Sequence, residues 1–156
     1  MKQVTLPNAI MLGEVRNLLD EGRSVVILTK GLSMLPFIRG EKDSVVLIKT
    51  PSVAPGDIAL AEIAPGRWVL HRVIEVAGGV VTLRGDGNIR GIEKCNPEDV
   101  AGVVSAIQRP DGKKTDPRTP EALRRWRRWC ATPMLVRRGW LSFYRRVIVK
   151  FDKKKI

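Results

Sequence analysis

Apolar residues recur at helical spacing near the start of the chain, between residues 7 and 22. They are Ile10, Met11, Val15, Leu18 and Leu19. Side chains three or four positions apart share one face of a helix, and the Asp20-Glu21-Gly22 segment that follows is a turn signal. The pattern therefore predicts a short N-terminal helix.

From residue 25 to residue 108, β-branched segments alternate with turns. The segments are 25–29, 45–48, 58–63, 68–76, 80–83 and 100–107. Residues of this type favour strands, and the glycines between them favour turns. Gly78-Gly79 predicts a hairpin of 68–76 with 80–84. We predict a mainly β fold, a compact antiparallel sheet or distorted barrel.

The remainder of the chain begins with a polar linker, Pro110 to Pro120. Thr119-Pro120-Glu121 has the cap, proline and acid of a helix start, and two basic helices broken near Pro133 are predicted to follow. Their apolar residues form stripes: Leu123, Trp126 and Cys130 in the first, and Val136, Trp140, Phe143 and Val147 in the second. Because arginines occupy the other arcs, both helices are predicted to be amphipathic.

The charge divides the chain into a balanced region and a basic tail. Of the 28 basic and 16 acidic residues, 12 of each precede Arg109, so the net charge of +12 lies in residues 109–156. A tail of this kind suits an anionic partner, either acidic lipid or nucleic acid. Nucleic acid is the less expected of the two because no recognition motif accompanies the charge.

Neither an export signal nor a membrane span is predicted. The N-terminal Met-Lys-Gln-Val-Thr-Leu-Pro lacks a sustained apolar region. We expect a cytoplasmic protein that contacts anionic membrane peripherally through residues 119–150, where tryptophan and arginine interleave. The alternative is that these apolar stripes pack on the rest of the protein.

Two cysteines and one histidine match no metal spacing, so neither metal nor cofactor is expected.

Two residues are candidates for nucleophilic chemistry. Ser33 follows a predicted strand in a tight loop between Gly31 and Pro36, and His71 shares a strand face with apolar neighbours. A serine hydroxyl needs a base to take its proton, and imidazole is the usual one. Taken singly, Ser33 also fits an ordinary turn and His71 an ordinary core histidine.

A third, acidic residue is less well defined by the sequence. Asp86 lies in Arg84-Gly-Asp-Gly-Asn88, directly after the predicted hairpin. At the open end of that hairpin its carboxylate could approach His71 and orient the ring. Glu93 and Asp99 are the alternatives.

Three segments in one order resemble the signal peptidase I and LexA-like clan of serine peptidases. They are Gly31-Leu-Ser-Met-Leu-Pro-Phe-Ile-Arg-Gly40, Gly56-Asp-Ile-Ala-Leu60, and Val69-Leu-His-Arg-Val-Ile74 followed by Arg84-Gly-Asp-Gly-Asn88. The match covers residues 24–108, and the histidine is similar to that of endoplasmic-reticulum and sporulation signal peptidases. The resemblance implies a distorted antiparallel barrel. Together with the division of charge, it leads us to predict a serine peptidase domain over residues 1–108, which includes the short N-terminal helix, and a basic linker with an amphipathic helical tail over residues 109–156.

The resemblance also implies roles for the candidate residues. Ser33 would attack the scissile carbonyl, His71 would carry the proton to the leaving amine, and the Ser33 amide would bind the oxyanion. Asp86 matches the aspartate of the family's Gly-Asp-Asn segment and would be the third catalytic residue. Gly31 stands where many bacterial signal peptidases place a serine that assists the oxyanion hole, so that hydroxyl is missing here.

Two other functions are compatible with the sequence. A LexA-like regulator that cleaves itself would use lysine as base and cut an Ala-Gly bond, but no Ala-Gly pair precedes Ser33. A noncatalytic β-domain could instead bind anionic membrane or nucleic acid through its tail. The predicted function is a serine endopeptidase that cleaves a peptide or leader segment.

Overall fold

The computed structural model of the protein describes residues 9–88 and 91–154. The predicted N-terminal helix is confirmed as α1, Ala9–Asp20, with Leu12, Val15 and Leu19 buried. Its first two predicted residues and the N-terminal segment examined for an export signal lie outside the described residues.

Eight strands follow. They are β1 (Val25–Leu28), β2 (Ser44–Ile48), β3 (Ile58–Ala64), β4 (Arg67–Ala77), β5 (Val80–Arg84), β6 (Glu93–Cys95), β7 (Val100–Gln108) and β8 (Lys114–Thr115). The six predicted strands are all confirmed. The two additional strands, β6 and β8, are only three and two residues long and mostly charged, so they lack the alternation that identifies a strand.

The strands form one antiparallel sheet in the order β1-β2-β7-β3-β4-β5-β6, with β8 also paired to β7. The predicted hairpin is confirmed as β4 and β5, joined by Gly78 and Gly79, both at positive φ. A barrel requires its first and last strands to pair. In the described residues β1 pairs only with β2 and β6 only with β5, so the sheet is open where a distorted barrel was expected.

Apolar side chains form two buried clusters. The larger one joins α1 to β1, β2, β3 and β7, and includes Leu19, Ile27 and Leu60. The smaller one includes Val73, Val81 and Val103. Residues on one strand contribute to different clusters, as Leu60 and Ala59 do, because successive side chains point to opposite faces.

Two helices end the described chain, α2 (Pro120–Ala131) and α3 (Met134–Lys154). The Thr119 hydroxyl caps α2 by accepting the Ala122 N–H at 3.1 Å. Trp126 from the predicted stripe of α2 is buried and packs on the protein. The four residues of the predicted α3 stripe are exposed, and α3 instead packs through Leu141, which lies outside that stripe. Within the described residues, no helix is long and apolar enough to cross a membrane.

Candidate active site

Ser33 lies in the loop between β1 and β2, residues 29–43, here called the serine loop. Its two ends are joined by backbone hydrogen bonds from Thr29 N to Asp43 O at 3.1 Å and from Glu41 N to Thr29 O at 2.7 Å. Gly31 has a φ of 83°, and a Cβ at Gly40 would collide with the Gly31 backbone. These glycines therefore permit the narrow neck that closes the loop.

The buried carboxylate of Asp43 also fixes the serine loop. Asp43 is fully buried and accepts hydrogen bonds from the Arg39 side chain at 3.0 Å and from Arg109 at 2.6 Å. Arg109 also donates to the Phe37 carbonyl at 3.0 Å. The hydrogen bond to Asp43 raises the pKa of Arg39. Paired charges thus fix both the neck and the middle of the serine loop.

The turn after β5 supports Ser33 itself. Gly87 N donates to the Ser33 carbonyl at 2.8 Å, and a Cβ at Gly85 would lie 2.5 Å from the same oxygen. Within the described residues, the Ser33 N–H donates to no acceptor. The loop is therefore held through the serine carbonyl, while its amide stays available to a ligand.

Ser33 and His71 line one cavity of about 140 Å³. Its other lining residues are Thr29, Lys30, Gly31, Met34, Ile38, Gly40, Trp68, Val69 and Leu70. Among the described residues, no hydrogen bond joins Ser33 to His71. Hydrogen bonds between catalytic groups are often long without substrate and shorten when it binds. The structure therefore brings the predicted nucleophile and base to one cavity, although not into direct contact.

Glu93 is the acid that contacts the histidine. Its Oε2 lies 3.0 Å from His71 Nδ1, and the two side chains are 18% and 8% exposed. The sheet register explains the contact: Glu93 pairs with Leu83, which pairs with Val73, and directly paired residues point to one face. Val73 and His71 share that face because they are two residues apart.

Asp86, the expected third member, contacts Arg72 instead of His71. Arg72 Nη2 and Nε donate to its two carboxylate oxygens at 2.7 and 3.2 Å, and both side chains are nearly inaccessible. Burial raises the pKa of Asp86, while the charge and hydrogen bonds of Arg72 oppose that rise. This geometry corrects the expectation that Asp86 orients the ring.

A register shift gives the physical reason for the different partner. The β4–β5 pairing begins with Ala77 opposite Val80, and an uninterrupted ladder would place His71 opposite Asp86. An irregularity between Val73 and Glu75 moves the register by one residue, so that Arg72 pairs with Arg84. A one-residue shift changes the face on which a side chain meets its neighbours. Arg84 therefore lies opposite Arg72, and the turn that follows β5 brings the Asp86 carboxylate to the Arg72 guanidinium.

The other alternative acid, Asp99, is used in a local turn. Its Oδ2 accepts the Asn96 N–H at 2.9 Å at the start of the 3₁₀ turn Pro97–Asp99. Asp99 therefore has a structural role: it stabilises the turn that leads into strand β7. Among the three acids considered from the sequence, the described contacts assign only Glu93 to the histidine.

Sequence reasoning did not single out two of the cavity residues, Lys30 and Trp68. Lys30 lies two residues after the end of β1, at the start of the serine loop, and it borders the cavity because of the path of that loop. The Trp68 indole N–H is buried without an acceptor among the described residues. Leaving a buried donor unpaired costs about 1–3 kcal/mol.

No protein-family model matches the chain, and no match was found among curated proteins. The resemblance to the signal peptidase and LexA-like clan therefore stays a prediction, based on its three segments and their order. Any function for this site has to be argued from the residues in and around the cavity.

Proposed function

We propose that the protein is a serine endopeptidase with Ser33 as nucleophile and His71 as general base. The observation that carries this proposal is their shared cavity, together with the Glu93 carboxylate 3.0 Å from Nδ1 of the imidazole. A carboxylate only accepts hydrogen bonds, so Nδ1 is the donor to Glu93. The neutral ring then has its lone pair on Nε2, where a base needs it.

The reaction follows the ordinary acyl-transfer sequence. Ser33 Oγ forms a bond to the scissile carbonyl carbon as its proton moves to His71. The C–N bond then breaks, and His71 returns the proton to the leaving amine. Water, deprotonated by His71, next releases the acyl group and restores the Ser33 hydroxyl. Glu93 stabilises the imidazolium in both steps without taking its proton.

The Ser33 amide is the proposed oxyanion donor. It has no acceptor among the described residues, and the turn at Gly85 and Gly87 fixes the peptide unit that follows it. A fixed N–H aimed at developing negative charge stabilises the tetrahedral intermediate. Gly31 adds no hydroxyl, so the proposed hole depends on main-chain donors.

The proposed substrate is an extended peptide with small side chains near the cleaved bond. A cavity of about 140 Å³ has little room for a large side chain. Strand β1 pairs only with β2 in the described chain and continues into Thr29 and Lys30 at the cavity. Its other edge can therefore pair with a substrate strand.

Cleavage of a diverse peptide mixture, followed by mass spectrometry, tests the proposal. The parent protein should cut a subset of peptides, and both Ser33→Ala and His71→Ala should lower the rate by about 10²–10⁴-fold, the usual contribution of general acid–base catalysis. Lys30→Met is the matched control because Lys30 lines the same cavity and lysine is the alternative base. Full activity in His71→Ala, or loss confined to Lys30→Met, would contradict the assignment of the base.

A second proposal is peripheral contact of α3 with an anionic membrane. Trp126 and Leu141 pack on the protein, but Leu135 is 80% and Phe143 is 69% exposed on α3. Apolar side chains beside arginines suit a lipid interface. Phe143→Ser should reduce co-sedimentation with vesicles of acidic phospholipid. Unchanged co-sedimentation would remove this apolar surface from any lipid contact.

A further inference from the structure

A second and larger cavity lies between the turn after β5 and helix α3. Its volume is about 630 Å³, and it shares no lining residue with the cavity of Ser33 and His71. Small-molecule sites have volumes of about 300–1,000 Å³. The residues that line it are Gly87, Asn88, Gly91, Arg138, Leu141, Ser142, Arg145 and Arg146. We call it the arginine pocket.

Three arginines line this cavity, and no acidic residue lines it with them. Arg138, Arg145 and Arg146 are exposed, and within the described chain none of them forms a hydrogen bond or ion pair. Asp86, one residue before the lining residue Gly87, is already paired with Arg72. Like charges around a concavity repel one another and create a positive potential that a bound anion would relieve.

The donors in the pocket match the oxygens of a phosphate. A guanidinium can donate two parallel hydrogen bonds to phosphate, and such charge-assisted bonds are strong. The Ser142 hydroxyl and the Asn88 side-chain amide add neutral donors, while buried Leu141 closes the wall. We propose that the arginine pocket binds a phosphate group, carried either by a soluble phosphate compound or by the headgroup of an acidic phospholipid.

The chain offers a matched control for the effect of charge alone. Arg124, Arg127 and Arg128 on α2 are also exposed and have no described partner, but they line no described cavity with the three pocket arginines. The pocket variant is R138Q/R145Q/R146Q, and the control is R124Q/R127Q/R128Q. Both remove three positive charges and retain side-chain length, so a difference between them reports the pocket.

Titration calorimetry with inorganic pyrophosphate tests the soluble source. The full chain and the control should bind it with similar affinity, and the pocket variant should bind at least about tenfold more weakly because it loses charged donors. Circular dichroism and thermal melts verify the fold of each variant, and the single variant R145Q should weaken binding if the triple variant unfolds. Equal affinity of the two triple variants would overturn the proposal.

Co-sedimentation with phosphatidylglycerol vesicles tests the lipid source, with phosphatidylcholine vesicles as the uncharged reference. Binding that only the pocket variant loses, without affinity for pyrophosphate, identifies a lipid headgroup as the source. Equal losses in both triple variants would show that bulk charge attracts the protein and would refute a pocket. Absence of binding to pyrophosphate and to both vesicles would refute it as well. None of these measurements depends on peptidase activity.

Discussion

Neighbouring residues of β4 each contact a carboxylate, and the two contacts have different properties. His71 contacts Glu93 at 3.0 Å beside a cavity, whereas Arg72 contacts Asp86 at 2.7 Å under helix α2. The His71–Glu93 pair borders the cavity that His71 shares with Ser33. The Arg72–Asp86 pair is sealed from solvent.

The surroundings of Arg72 explain why its pair serves structure. Its guanidinium stacks between the rings of Phe37 and Trp126, at 5.4 and 5.2 Å from their centroids, and it donates to the Gly56 carbonyl at 3.0 Å. Trp129 of α2 donates its indole N–H to the Asp86 carbonyl at 2.8 Å. The Arg72–Asp86 pair therefore attaches the serine loop and α2 to the sheet, whereas the His71–Glu93 pair borders the cavity.

The largest expected difference between the pairs is in stability. Asp86→Ala should lower the free energy of unfolding by about 3–5 kcal/mol, because it leaves the Arg72 guanidinium buried without a counter-charge. Glu93→Ala should cost much less, since its side chain is partly exposed. Chemical denaturation of both variants measures the difference. If both variants lose the same free energy of unfolding, the Arg72–Asp86 pair is no more important for stability than the His71–Glu93 pair.

A double variant provides the control for this measurement. Arg72→Met combined with Asp86→Ala removes both charges, and we expect it to recover part of the lost stability, because paired replacement of buried ions is often neutral or stabilising. If the double variant is no more stable than Asp86→Ala, the loss comes from packing instead of the unpaired charge.

The next effect concerns activity at Glu93. Glu93→Gln should lower peptide cleavage by about 10–100-fold, the usual cost of removing the carboxylate that orients a functional histidine. Glu93→Asp should recover part of the rate if a carboxylate still reaches Nδ1. Single-turnover rates measured beside unfolding free energies separate this role from a structural one. Asp86→Asn reducing the rate more than Glu93→Gln would return the orienting role to Asp86.

The smallest effect concerns the attachment of α2. Trp129→Phe removes the hydrogen bond to the Asp86 carbonyl and should cost about 1 kcal/mol of stability. The cleavage rate should not change, because Trp129 is not a lining residue of the cavity of Ser33 and His71. Thermal unfolding and the peptide assay check both expectations. A large loss of cleavage with unchanged stability would instead connect α2 to the site.

β-branched segments were sufficient to predict six strands, the glycine pair to predict the hairpin at Gly78-Gly79, and the helical spacing of apolar residues to predict the N-terminal helix. These features depend on local backbone preference and on which face of an element is apolar, and both are written in short stretches of sequence. Strands β6 and β8 were not predicted, because short, charged strands form only where the edge of a neighbouring strand is available for pairing.

The sequence by itself selected Ser33 and His71 and proposed three acids as partners. Only the tertiary structure decided among those acids, since the irregularity between Val73 and Glu75 shifts the ladder by one residue and turns Asp86 toward Arg72. Such a shift depends on packing between strands, so the periodicity of apolar residues in the sequence does not reveal it. The same holds for the tail: its charge is evident in the sequence, but the gathering of Arg138, Arg145 and Arg146 around a cavity comes from how α3 packs on the turn after β5.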